Sequence, residues 1–218
     1  MEQPFDSLFK RYDQWYESPK GKRIFKAELK CLQKLAGSPE GRWLEVGTGT
    51  GRFAARMGIN EGLDPSKKML ELASSRGIKA YQGFAENAPL PSGQFSGVML
   101  AFTLCFIDSP KDALSECWRL LVPGGKLLIG IICSDNPWGR AYQIKKSEGH
   151  PIYKYARFLP LSDTIEITKQ EGFELEKSAS TLFWNPEELP QGEIEIRSGL
   201  YKDAGFSAML FTKTDRGG

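Results

Sequence analysis

Leu44-Glu45-Val46-Gly47-Thr48-Gly49-Thr50-Gly51-Arg52-Phe53 decides how this chain folds. Trp43 to Val46 predicts a short buried strand, the glycines break it, and Thr50 to Met57 predicts a helix. A strand that enters a helix through a glycine-rich turn is the setting of a nucleotide-type site. Glycine permits the tight turn and lets a ligand lie against the backbone. The spacing separates the possible ligands. A dinucleotide fingerprint puts its third glycine three residues after the second, where the bulky Arg52 stands; here it comes at Gly51. A Walker loop is excluded because no Gly-Lys-Ser/Thr follows. Asp64 closes the next predicted strand, Asn60 to Leu63, and its carboxylate can accept two hydrogen bonds from ribose hydroxyls. Taken singly, a Gly-rich turn is only a turn and an Asp before Pro65 is a helix cap. In the order strand, turn, helix, strand they point together to a nucleoside-bearing ligand.

The same alternation extends outward. Asp64-Pro65-Ser66 opens a helix carrying Met69, Leu70 and Ala73 that stops at Gly77. Ile78 to Gln82 and Phe95 to Ala101 read as strands. Ser109-Pro110 caps a further helix with Leu114, Cys117, Trp118 and Leu121 as its buried stripe. Pro123-Gly124-Gly125 ends that helix, and Lys126 to Cys133 is expected as the next strand. Upstream, residues 20–36 predict an amphipathic helix with Ile24, Phe25, Leu29, Leu32 and Leu35 on one side and Gly37 as its stop. Downstream, residues 134–160 have no clean strand period and read as an insertion. A helix near 162–171, a strand to about Ala179 and a strand over 206–213 follow. Repeated strand–helix alternation implies a mainly parallel sheet covered on both faces.

Composition narrows the function. The chain has 218 residues, 29 Lys and Arg against 27 Asp and Glu, and 40% apolar residues, as in an ordinary globular domain. The near balance of charge argues against a nucleic-acid partner bound through a basic face. The N-terminus lacks the apolar core and cleavage site of a signal peptide, and the longest apolar stretch, Val98 to Ile107, is too short to span a bilayer. A cytoplasmic protein without a membrane span is expected. Cys31, Cys105, Cys117 and Cys133 are scattered, with no C-x-x-C pair, which argues against a metal site or a disulfide framework.

Four segments resemble the class I S-adenosylmethionine-dependent methyltransferases, near the group that includes the ubiquinone/menaquinone-type enzymes. They are LEVGTGTGRF (44–53), GLDPSKKMLELA (62–73), GFAENAPLPSGQFSGVMLAFTLCFID (83–108) and ALSECWRLLVPGGKLLIG (113–130). YDQWYESPKGK and PWGRAYQIKK with GHPIYKYARFLPLSD are similar to an uncharacterised subgroup. The resemblance implies an enzyme with an α/β, Rossmann-like three-layer sandwich. Its sheet would be mostly parallel and seven-stranded, with a last antiparallel strand and an N-terminal helical lid. It implies a single domain over 1–218: a lid segment at 1–37, a cofactor core at 41–133, an insertion lining the substrate pocket at 134–160, and the rest of the sheet at 161–218. It implies S-adenosyl-L-methionine as cofactor. Gly47, Gly49 and Gly51, with Val46 and Thr48, would lie against its methionine part, and Glu45 beneath them near the amino group. Asp64 would hold the ribose. Pro65 and Met69 would pack near the adenine, Ala85 and Glu86 would meet its edge, and Ala101 and Phe102 would close the strand end beside it.

A sulfonium methyl is already activated, so positioning and exclusion of water do most of the work and a general base is optional. The reaction expected is methyl transfer to a small molecule by in-line displacement; no catalytic residue and no acceptor can be assigned. Tyr12, Trp15 and Tyr16 are candidates for an aromatic lid, and Trp138, Tyr142 and His150 for the other side of the pocket. For each, plain packing or solvation is the competing account. A nicotinamide-dependent oxidoreductase, or a module that binds the cofactor to regulate a partner, remains open as an alternative.

Overall fold

A computed structural model describes residues 4–215. The first three residues of the expected lid segment and the last three of the expected C-terminal part lie outside the described residues. The chain opens with two helices, α1 (Pro4–Trp15) and α2 (Pro19–Ala36). Alternation then runs through β1 (Trp43–Val46), α3 (Arg52–Met57), β2 (Glu61–Asp64), α4 (Lys67–Ser75) and β3 (Lys79–Gln82). It continues with β4 (Phe95–Ala101), α5 (Pro110–Leu120) and β5 (Leu121–Ile131). The remainder is α6 (Pro137–Ser147), α7 (Leu161–Gln170), β6 (Phe173–Thr181), β7 (Arg197–Ser198) and β8 (Phe206–Lys213).

The strands form one sheet in the order β3-β2-β1-β4-β5-β8-β6-β7. The pairs from β3 across to β5 are parallel, whereas β8 is antiparallel to both β5 and β6. The expected mostly parallel sheet with an antiparallel last strand is therefore present. It has eight strands rather than seven, because the two-residue β7 adds to the far edge. Side chains alternate between two cores as the period of a strand requires. Met99 and Leu128 join α2 and α3 on one face, while Val98, Leu100, Leu127 and Ile129 join α5 on the other.

Three local readings change. β5 begins at Leu121, five residues earlier than expected, and ends at Ile131, short of Cys133. Pro123-Gly124-Gly125 does not end a helix; it makes an irregular step inside the strand, where the register against β4 shifts and Gly124 takes φ 70°. Residues 134–160 contain a helix, α6, capped by Asn136, whose Oδ1 accepts the Gly139 amide at 2.7 Å, with Pro137 in its first turn. Within the expected lid, α2 buries Ile24, Ala27, Cys31 and Leu32 against the sheet and is a core helix; α1 packs against α4.

Candidate functional site

The chain builds outward from β1 to β2 and β3 on one side and to β4 and β5 on the other. A cleft therefore opens at the carboxyl ends of β1 and β4, where the direction reverses. The glycine turn stands there. Gly47, Gly49 and Gly51 all have positive φ (72°, 52° and 75°). A Cβ at Gly47 would run into the side chain of Thr103, which follows β4 and donates to the Val46 carbonyl at 2.9 Å. Gly51 lies against Ala73 of α4 and lets the two helices approach. At Gly49 a Cβ would meet nothing within 4 Å, so this part of the turn has open space beside it.

Two buried carboxyls sit under the turn. Glu45 accepts the Thr48 hydroxyl at 2.8 Å and the Ala54 amide at 3.0 Å. Burial pushes its acid up to about 8, against the pull of those two donors. Asp64, 8% exposed at the end of β2, accepts the Ser66 amide at 2.8 Å and the Gly49 amide at 2.9 Å. Burial lifts it to about 6 while the two amides work in the opposite direction. Buried acids beneath an open glycine turn, with no cation paired to either among the described residues, suit a ligand bearing an ammonium group and a pair of hydroxyls.

The other expected contact residues distribute unevenly. Pro65 is half-buried, and Met69 is buried on the inner side of α4. Ala85 is buried, while Glu86 turns its carboxylate to the amides of Asp108 and Ser109 at 3.2 and 3.5 Å. That side chain braces the start of α5. Ala101 ends β4. Phe102 takes φ 61°, unusual for a bulky residue, and donates its amide to Gly130 at 2.9 Å. Its ring stands between Phe53 and Phe206 at 5.5 and 5.2 Å.

Phe102 also lines a cavity beside the cleft, and here the structure gathers all six pocket candidates. Tyr12, Trp15 and Tyr16 of the N-terminal segment wall one side, and Trp138, Tyr142 and His150 another. Tyr12 and Tyr16 share a hydrogen bond at 3.1 Å; Tyr142 stacks on Tyr153 at 4.4 Å, and His150 stacks on the same Tyr153 ring at 4.6 Å. His150 Nδ1 accepts the amides of Ile152 and Tyr153 at 3.3 and 3.4 Å, so this nitrogen braces a turn. Burial, then the nearby Arg11 and Lys145 charges, lower its pKa and so favour the neutral ring.

Sequence reasoning missed three members of the site. Asp13 on α1 accepts Thr50 Oγ1 and Arg52 Nε at 2.7 Å each and Arg76 Nη2 at 2.8 Å. Arg52 therefore faces α1 rather than the sheet, which is why a bulky residue is tolerated after Gly51. Asp6 accepts the Ser66 hydroxyl at 2.6 Å and ties the other end of α1 to the start of α4. Glu28, 2% exposed on α2, lines the aromatic cavity. Its sequence signal is a carboxylate four residues after Ile24 and four before Leu32, on the buried stripe of the helix.

Comparison with known proteins identifies the family. The family described as "Methyltransferase domain" matches residues 44–129. A solved structure from Thermotoga maritima, described as a SAM-dependent methyltransferase and possible histamine N-methyltransferase, is 34% identical and superposes with a TM-score of 0.89. That match covers 97% of this chain and 98% of the other. An uncharacterized protein of Methanocaldococcus jannaschii is 36% identical over 209 residues, 96% of this chain and 98% of its own length. A demethylmenaquinone methyltransferase of a Geobacillus species is 24% identical over 217 residues, 93% of this chain and 86% of that protein.

Proposed function

We propose that this chain, which belongs to the class I S-adenosylmethionine-dependent methyltransferases, methylates a small molecule held in the aromatic cavity between α1, α6 and the strand ends. S-adenosylmethionine is its cofactor, and the family sets aside the oxidoreductase and non-catalytic alternatives. When bound, the cofactor supplies a methyl carbon on a sulfonium, whose departure leaves a neutral thioether.

One observation carries the reading. The cavity shares Phe102 with the end of β4, and its roof, α1, is pinned by Asp13 to Thr50 and Arg52 of the cofactor turn. A molecule in the cavity therefore lies next to the cleft and beneath the helix that is tied to the cofactor turn. In this reading Asp64 holds the ribose hydroxyls, Glu45 stands under the ammonium end, and the Gly47–Gly51 turn receives the chain between them. The aromatic walls orient the acceptor and exclude water, which supplies most of what a transfer from an activated methyl requires. The enclosure by α1, α6 and the His150 turn favours a small acceptor over a polymer. The soluble pool of the cytoplasm is the expected place of action.

Calorimetric titration with S-adenosylmethionine and S-adenosylhomocysteine tests the cofactor half, with micromolar affinity expected, about −8 kcal/mol. Absence of binding by both overturns the reading. Methyl transfer from labelled cofactor to a panel of small acceptors then tests the other half.

A further inference from the structure

The acceptor cavity contains one acid. Its wall carries Arg11, Lys20, Lys145 and His150, but Glu28 is the sole carboxyl among the described residues that line it. Glu28 is almost wholly buried and lines the cavity, yet no hydrogen bond to its carboxyl occurs among the described residues. A carboxylate that leaves water without a partner is costly, and proteins keep such groups where something else completes them. The surroundings say what that is. Tyr12, Tyr16, Tyr142 and Tyr153 present aromatic faces and hydroxyls around it. Aromatic faces attract cations through the ring quadrupole, and a buried carboxylate supplies the opposite charge.

We infer that the cavity takes a small protonated amine, with Glu28 as its counter-ion and the tyrosines as the cage around it. The inference rests on the methyl-transfer reading for the amine's fate, and on the cavity alone for its binding. The basic groups do not compete for the carboxyl. Arg11 is exposed, Lys20 and Lys145 are half-buried, and Lys145 lies over the Tyr142 ring at 5.4 Å and 4.0 Å from Glu187. Water screens charges so placed.

Burial raises Glu28 well above the usual carboxylate range and so favours its neutral acid in the empty cavity. The groups packed around it are shifted away from neutral pH. Tyr12 and Tyr16 on α1, Tyr142 on α6 and Tyr153 are all raised by burial, as are Cys31 on α2 and Cys105 beyond β4. His150 is lowered, which favours its neutral ring. Entry of an ammonium favours the carboxylate instead, with the proton released from Glu28. In the closed cavity the reverse step is available. The ammonium N–H bond breaks, its electron pair stays on nitrogen, and the proton passes to a Glu28 oxygen, leaving a free amine as nucleophile.

The test is calorimetric titration of the full chain, alone and saturated with S-adenosylhomocysteine, with butylamine, hexylamine and 2-phenylethylamine. Each amine is paired with its alcohol isostere, and 3-phenylpropanoate serves as the anion control. At least one amine is expected to bind about tenfold or more tightly than its alcohol. Amine binding should release protons, read from buffers of different ionisation enthalpy. Affinity should rise with pH as Glu28 loses its proton. Glu28→Gln should abolish the preference while keeping S-adenosylhomocysteine affinity; Glu28→Asp should retain part of it. Equal binding of amines and alcohols, preference for the anion, or no amine binding in protein that does bind S-adenosylhomocysteine overturns the inference and leaves the methyl-transfer reading standing. Failure to bind S-adenosylhomocysteine counts against that reading instead. If Glu28→Gln fails to fold, the isostere comparison and the proton release in the unaltered chain decide.

Discussion

Asp13 and Arg52 form a two-point contact, Oδ1 to Nε at 2.7 Å and Oδ2 to Nη2 at 2.8 Å, that joins the first helix to the residue following the cofactor turn. Burial alone would raise the Asp13 carboxyl. The guanidinium groups of Arg52 and Arg76 and the Thr50 hydroxyl outweigh it and hold the acid well below the usual range. A carboxyl depressed on folding stabilises above its unfolded value and loses that contribution as pH falls through the folded one. Asp13→Asn is expected to cost about 1–2 kcal/mol and to raise hydrogen exchange across Pro4–Trp15. Exchange that rises equally throughout the chain speaks against a specific latch.

Asp64→Ala removes the acceptor proposed for the ribose hydroxyls and frees the Gly49 amide it binds. Loss of hydrogen bonds to a charged group costs about 1.5–3 kcal/mol, so S-adenosylmethionine affinity should fall about ten- to a hundredfold. Titration calorimetry measures this directly, and an unchanged affinity removes Asp64 from the cofactor site.

Gly47→Ala and Gly49→Ala separate packing from conformation. Both residues have positive φ, but only at Gly47 does a methyl meet a neighbour, Thr103. Gly49→Ala should cost about 1 kcal/mol of stability and Gly47→Ala about 2–4. Thermal melts rank the two; the opposite order contradicts the packing at Thr103.

Glu45 predicts a pH slope. Its acid lies near 8 in the folded chain against an ordinary 4.5. Between those values the folded state holds a proton that the unfolded state has lost, so its contribution is full below about 4.5 and fades as pH rises to about 8. Urea unfolding should therefore give lower stability at pH 8 than at pH 5.5. Glu45→Gln should flatten that slope by about 1 kcal/mol per unit. An unaltered slope moves the effect to other buried acids.

What the sequence revealed follows the range of the forces involved. The turn after Val46, the Ser109-Pro110 cap and the end of β4 are local, written in neighbouring residues, and they read correctly. The cap of α6 was equally local, in Asn136-Pro137, but aromatic residues without a period masked it. Strand β5 hid its start because Pro123 and two glycines imitate a terminator, and only pairing of Leu121 with Phe95 shows the strand. Asp13 was illegible for another reason: its partners lie 37 to 63 residues away, and nothing in its own neighbourhood announces them. Glu28 stood in plain view on an apolar stripe, the kind of local rule-breaking that marks a working site.

The aromatic cavity draws Tyr12, Tyr16, Glu28, Trp138, Tyr142 and Tyr153 from outside the stretch that matches the family, residues 44–129, and takes from within it a short group that begins at Phe102. In the proposed reading, cofactor chemistry and acceptor choice thus fall on separate parts of the chain. Two relatives alike through the glycine turn and the first strands can diverge in diet by exchanging a few positions on the first two helices and around α6. On that reading, position 28 and the tyrosines around it say more about the acceptor than the shared middle does.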